Sequence, residues 1–213
     1  MNNINNSIDK FIEKIKLNQK NIYEIFYNSI DIYEKMNNKD EKESTILAQE
    51  DKYKIYNWLY PIYKNIFGVK LKLIYQRGND MSYLNFHQKC DNKGPTIVVC
   101  KSKNEKFGGY ANISWESLNN ERKFQNGPFI FSLTKNVKYE YQNKGNHSIY
   151  LDQNHGPDFS WDFTFNTSDE MKVCIVYPKE PGGYAYSSEP LIGNGYDQPI
   201  ELDEVEVFQV IQI

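Results

Sequence analysis

Cysteine is scarce in this chain. Cys90, Cys100 and Cys174 are the whole supply among 213 residues, an odd number with no C-x-x-C pair. Neither a disulfide framework nor a paired-thiol zinc site is indicated, and reduced thiols in a cytosolic protein fit better. No apolar run approaches the roughly 18 residues of a membrane span. The opening MNNINNSIDK has no apolar leader segment, so the expected location is the cytoplasm. Sequons at Asn112, Asn146 and Asn166 would have no use there. An excess of basic charge is also missing. The 25 Lys and Arg against 28 Asp and Glu leave a net charge of −3, which argues against a nucleic-acid binder. Alanine occurs only three times while asparagine is abundant, which we read as codon bias of an AT-rich genome.

Catalytic signatures are sparse as well. There is no G-x-S-x-G nucleophile elbow, no H-E-x-x-H, no dinucleotide fingerprint and no P-loop. Aromatic residues, by contrast, make up 15% of the chain, with 17 Tyr and 12 Phe. They favour strands and supply core area. A 25.1 kDa chain buries about 70% of its extended surface on folding, enough for a core without staples.

The first 43 residues contain no Gly, Pro or Cys. Ile8, Phe11, Ile12, Ile15, Ile22, Ile25, Phe26 and Ile30 form one apolar stripe at helical spacing. Ser7 is offered as its N-cap, and the heptads are interrupted at Asn18 and Ser29. The segment predicts a helix, or a helix pair, that docks on the main domain or binds a partner or a second copy. The charged stretch MNNKDEKES ends it as a linker. A second helix is predicted over 48–60, ended by Pro61. Beyond residue 68 the pattern turns to strands: VKLKLIYQ, TIVVCKS, FGGYANISW, PFIFSLT, SIYLD, FSWDFTF, MKVCIVY and the final ELDEVEVFQVIQI, with a short helix near 81–89. The expected fold is α+β and β-dominated: a two-sheet antiparallel sandwich with peripheral helices. The expected division is 1–43, helical segment and linker, then 44–213, the main domain.

Three constellations could carry chemistry. Cys90 lies three residues after His87, and a thiolate would need a cationic neighbour and exposure. The plain reading is a buried thiol and a histidine bonded to nearby backbone. His147, Asp152, His155 and Asp158 combine ligand types that suit a divalent ion, but without the spacing of an established site they read as loop residues. Glu204 and Glu206 share one face of the last strand, opposite Val205 and Val207. Split pKa values would suit them to acid–base work; otherwise they are the solvent face of a half-buried strand or a charged contact surface. No cofactor is indicated.

Several strings, taken in order, resemble the TLDc domain, the family that includes the oxidation-resistance proteins. LKLIYQRGNDMSYLNFHQKCDNKGPTIVV is similar to the family's opening strand, its turn with Arg77 and Asp80, its helix with Phe86 and His87, and the run Cys90, Asp91, Gly94, Pro95, Thr96. KFGGYANISW matches the strand with Gly108, Gly109 and Tyr110 that ends at Trp115, and PFIFSL the next core strand, with Phe131. SIYLDQNHGPDF matches the turn at Gly156 and Pro157, and DEVEVFQV the closing strand with Glu204, Glu206 and Phe208. The chain departs from the pattern at Asp80-Met81-Ser82, at DFSWD, where Asp162 matches only loosely, and over 178–200. The resemblance implies a non-enzymatic protein-binding module. It implies a role in oxidative-stress resistance and in regulating the vacuolar proton-pumping ATPase, through that enzyme's stalk or head subunits. The competing readings are an antioxidant or hydrolytic enzyme using Cys90 or Glu204 and Glu206, and a scaffold self-associating through residues 1–43.

Overall fold

A computed structural model describes residues 7, 10–15, 17–18, 21–22, 25, 29, 42–64, 69–77, 82–123, 127–140, 149–159, 163–165, 173–176, 191–192 and 199–212. It divides into two compact units, Met1–Lys42 and Glu43–Ile213. In the first, every described position from 7 to 29 is helical. Ser7, offered as a cap, is itself in the helix. Ile8, Phe26 and Ile30 of the stripe lie outside the described residues.

The second unit is a sandwich. Its larger sheet has six strands, all antiparallel, in the order β1-β11-β2-β3-β5-β6. These are β1 (Val69–Gln76), β2 (Thr96–Ser102), β3 (Glu105–Ala111), β5 (Phe129–Ser132), β6 (Val137–Glu140) and β11 (Glu204–Gln212). The opposing layer holds the pair β4 (Glu121–Lys123) and β7 (Ile149–Leu151) and the trio β8 (Phe163–Phe165), β9 (Val173–Val176) and β10 (Pro199–Glu201). Asp158 bridges them, pairing with Tyr150 on one side and Thr164 on the other.

Strand alternation sorts the apolar residues into two layers. Val98, Cys100, Phe107, Ile130, Val205 and Val207 point into the core shared with the second layer. A row of rings crosses that core: Tyr75, Phe86, Trp115, Phe159, Phe163 and Phe107, each 5.5 to 5.9 Å from the next. Each buried ring contributes roughly 2–3 kcal/mol of transfer free energy. The opposite face of the six-stranded sheet is covered too. Helix α1 (Gln49–Tyr63) buries Ile55, Tyr56 and Leu59 and sets Trp58 against Phe129 and Phe131, at 6.4 and 5.4 Å. Lys106 Nζ donates to Asp51 at 2.7 Å, and Lys54 Nζ to the Leu133 carbonyl at 3.0 Å, fixing the helix across β3 and the turn after β5.

The predicted elements need some corrections. Pro61 does not end α1, which runs on to Tyr63. Only the last turn lies beyond it, so the missing N–H removes one bond, and Lys64 closes the helix in the left-handed region by donating to the Tyr60 carbonyl at 2.8 Å. The strand in FGGYANISW stops at Ala111, and residues 112–114 bend before Trp115. Strands β4, β6 and β10 escaped the sequence reading; the equally short β7, β8 and β9 were read because they lie within the apolar strings SIYLD, FSWDFTF and MKVCIVY. Helix α2 (Tyr83–Cys90) starts at Ser82, whose hydroxyl accepts from the Asn85 N–H at 3.3 Å.

The glycine pair in β3 permits two close approaches, one by the neighbouring strand β2 and one by a ring of the opposing layer. A Cβ on Gly108 would sit 1.9 Å from the Val98 carbonyl oxygen, and one on Gly109 2.5 Å from the Phe159 ring. That ring is wedged between Trp115 and Phe163 and has nowhere to move. Gly108→Ala and Gly109→Ala should each destabilise the protein by about 3 kcal/mol, read as a lowered urea midpoint without loss of the cooperative transition.

Candidate functional site

The C-terminal strand enters the sheet between β1 and β2, and at that entrance the polar residues of the domain gather. Alternation does place Glu204 and Glu206 on one face, opposite Val205 and Val207. That face is not the solvent face, because the chain segment before α1 lies across it. Glu206 has no exposed surface. It is held by three donations from neutral groups: the Ser44 hydroxyl at 2.5 Å, the Thr45 N–H at 2.8 Å and the Gln76 amide at 3.0 Å. A buried carboxylate must have such bonds to repay its lost hydration. The Ser44 oxygen also accepts from the Ile46 and Leu47 N–H groups, at 3.2 and 2.8 Å, which turns the chain into α1. Ala48 carries no capping side chain of its own, and the Asp51 carboxylate accepts from its N–H at 3.2 Å.

Glu204 sits one pleat nearer the surface. The Thr45 hydroxyl donates to it, and Lys101 Nζ donates at 2.9 Å. These two partners, the hydroxyl first, outweigh its partial burial and hold its carboxyl below the usual carboxylate value. The Glu204 hydrogen bond and charge in turn raise Lys101 above the ordinary lysine value. Arg77 completes the corner. Its guanidinium donates to the Leu202 and Asp203 carbonyls at 2.5 Å each, its N–H to the Val205 carbonyl at 2.8 Å, and the Asp203 carboxylate accepts from the Lys103 N–H at 2.6 Å. Arg77 therefore shapes the turn into β11. Its proposed turn partner Asp80 lies outside the described residues.

A second cluster joins α2 to the 152–158 loop. His87 is buried, with Nδ1 2.8 Å from Asp91 Oδ1 and Nε2 3.1 and 3.0 Å from the carbonyls of Asp152 and His155. Carbonyls only accept, so Nε2 carries a proton. The Ser117 hydroxyl donates to the other Asp91 oxygen at 2.6 Å. Both nitrogens of His87 are thus engaged away from Cys90. Cys90 has no exposed surface, and burial, with Asp91 adding to it, pushes its thiol well above the ordinary value. This is the opposite of what an activated thiolate requires.

The ligand-type cluster does not assemble. His147 lies outside the described residues, and among the described residues no three His, Cys, Asp or Glu side chains come together to hold an ion. Asp152 takes the Asn154 N–H at 2.8 Å and lies 3.4 Å from His155 Nδ1. Burial works to raise its pKa, but these partners prevail and lower it. Asp158 accepts from the Thr164 hydroxyl at 2.7 Å. The buried Gly156 and Pro157 lead into that bridge.

The remaining family-type residues lie in turns and in the core. Gly94, at φ +76°, makes the turn into β2 with its N–H on the Ser114 hydroxyl, and the Pro95 carbonyl accepts from Val210. Thr96 accepts the Trp115 indole N–H at 2.8 Å inside the core. Tyr110 meets the Tyr63 hydroxyl at 2.9 Å, joining sheet to α1. Phe131 and Phe208 are buried. Sequence reasoning passed over Ser44, Thr45 and Gln76, which complete the corner. Their only signal was a pair of hydroxyl residues at the end of a charged linker.

A family model, the TLDc domain, matches residues 40–211. The chain belongs to the TLDc domain family. A search of curated proteins finds no match. In this TLDc protein the match opens at the segment that carries Ser44 and Thr45 and closes within β11, so its two ends are the parts joined at Glu206.

Two outcomes follow. Glu206→Ala should lower stability by about 3 kcal/mol and Ser44→Ala by about 1 kcal/mol. The double variant should be worse than Glu206→Ala alone by less than the full cost of Ser44→Ala, because the Ser44–Glu206 bond can be lost only once while the Ser44 bonds to the Ile46 and Leu47 N–H groups are lost in addition; a urea-denaturation cycle measures this. A carboxyl whose folded pKa is depressed stabilises the protein above its unfolded pKa and loses that contribution as pH falls through the folded value. Wild type should therefore exceed Lys101→Met in stability at neutral pH, and the gap should close as pH drops below the ordinary glutamate value of 4.5.

Proposed function

We propose that this TLDc protein is a non-enzymatic protein-binding module, with residues 44–213 as the binding domain and residues 1–43 as an appended helical segment. Its partner is the vacuolar proton-pumping ATPase, whose assembly or activity it regulates, and through that partner it contributes to oxidative-stress resistance in the cytoplasm. The observation that carries the reading is the family match across residues 40–211. The side-chain chemistry supports it. The thiol is sealed, and the carboxylates, histidine and arginine of both clusters spend their hydrogen bonds on the domain's own backbone and hydroxyls. They act there as architecture rather than as reacting groups.

The test is co-sedimentation of the full chain with purified vacuolar ATPase, with and without nucleotide. Saturable binding that weakens as salt rises is expected, since charge complementarity acts strongly on association. No binding under any nucleotide condition overturns the ATPase reading. In the same series Cys90→Ser should keep the full protective effect against peroxide. Loss of protection in a normally folded Cys90→Ser variant would favour the thiol-enzyme reading instead.

A further inference from the structure

The two ring nitrogens of His87 face three oxygen atoms. Nδ1 lies 2.8 Å from Asp91 Oδ1, and Nε2 lies 3.1 and 3.0 Å from the carbonyls of Asp152 and His155. A neutral imidazole has one N–H to donate, and an imidazolium has two. A proton on Nε2 alone leaves the Nδ1 lone pair against a carboxylate. A proton on Nδ1 alone leaves the Nε2 lone pair against two carbonyls. Every contact joins a donor to an acceptor only when His87 and Asp91 together hold one proton more than a neutral imidazole and a carboxylate. The count is the same whether that proton rests on Nδ1 or on Asp91 Oδ1.

The neighbouring groups leave the proton to this pair. On α2 itself, Phe86 sets its ring edge-on to the imidazole at 5.0 Å, and Cys90 is sealed. From the segment after Trp115, the Ser117 hydroxyl donates to Asp91 Oδ2 at 2.6 Å, so Oδ1 is the oxygen turned to the ring, while Glu116 takes Lys123 Nζ at 2.9 Å. From the 152–158 loop, the Asp152 carboxylate accepts from the Asn154 N–H and lies 3.4 Å from His155 Nδ1, and Asp158 takes the Thr164 hydroxyl. From β7, the Tyr150 hydroxyl reaches the Asp152 carboxylate at 3.4 Å. The loop thus meets His87 with backbone carbonyls. It runs from β7 to Asp158, which pairs with both Tyr150 and Thr164.

We propose that His87 is a proton-operated latch on the 152–158 loop. The loop is docked on α2 while His87 and Asp91 hold the extra proton, and it is released when that proton leaves. Loss of the proton turns a charge-assisted contact into acceptor against acceptor in a buried place. A state that binds an extra proton gains stability at low pH and loses it as pH rises. The released state is therefore the alkaline one. Histidine is the side chain whose charge changes nearest to neutral pH, which suits it to this task. The ring row of the core does not depend on the latch, since Phe86 and Trp115 hold each other at 5.9 Å without it.

Long-range proton–nitrogen spectra of the imidazole rings in the full chain, assigned with His147→Gln and His155→Gln, read the proton count directly. At about pH 6 the His87–Asp91 pair should hold the extra proton, and by about pH 9 it should have lost it. Hydrogen exchange reads the loop. Over the same range the protection of the Gln153 and His155 amides, corrected for the intrinsic rate, should fall about tenfold while the amides of β2 keep theirs. In Asp91→Asn the new amide donates to an unprotonated Nδ1, so a ring with its one proton on Nε2 satisfies every partner. That variant should show one ring proton and loop protection that stays level with pH. A neutral His87 beside an ionised Asp91 in the acidic sample overturns the latch, and so does loop protection that stays level in the wild type as the proton leaves. A pH dependence that persists in a folded Asp91→Asn variant assigns the effect to another group, His155 first, and overturns it as well.

Discussion

A carboxylate with no access to water has to find its hydrogen bonds inside the protein. Glu206 finds them more than 150 residues away along the chain, at Ser44 and Thr45. The segment before α1, strand β1 through Gln76, and β11 itself meet at that one group. Left unpaired in the interior, it would cost several kcal/mol, comparable to the net stability of a domain of this size. The same bonds give α1 its start, since the Ser44 oxygen that serves Glu206 also takes the N–H groups leading into the helix.

The core follows a second rule, the close fit of rings against bare backbone. Phe159 lies on Gly109 and is held by Trp115 on one side and Phe163 on the other. Among the described residues, aromatic rings pack here and under α1. The histidine cluster performs a related task at the edge of the core. His87 fastens the 152–158 loop to α2.

Long alternating segments were legible in the sequence. VKLKLIYQ and TIVVCKS are strands with the predicted ends, and the two-layer antiparallel plan stands. Motif order carried the family. Length alone did not decide the short strands: β7 and β8, three residues each, were read within SIYLD and FSWDFTF, whereas β4 and β10 lie in no such apolar string and are defined by their neighbours. The role of Glu206 was hidden for a related reason. Alternation tells which face a side chain takes, but not whether another element covers that face. Here the covering element is the least strand-like part of the domain, a hydroxyl pair beside a charged run. The helix expected near 81–89 forms and extends to Cys90, yet spacing along a helix says nothing of the loop that occupies the imidazole.

The location of β11 has a consequence for how the protein is made. β1 and β2 are synthesised early, but each pairs with β11 rather than with the other. From residue 102 until residues 204–212 clear the ribosome, the Val and Ile side chains of β2 and one edge of β1 wait without their neighbour. At about 5–20 residues per second that wait lasts roughly five to twenty seconds. The sheet closes only after nearly all of the domain has been translated.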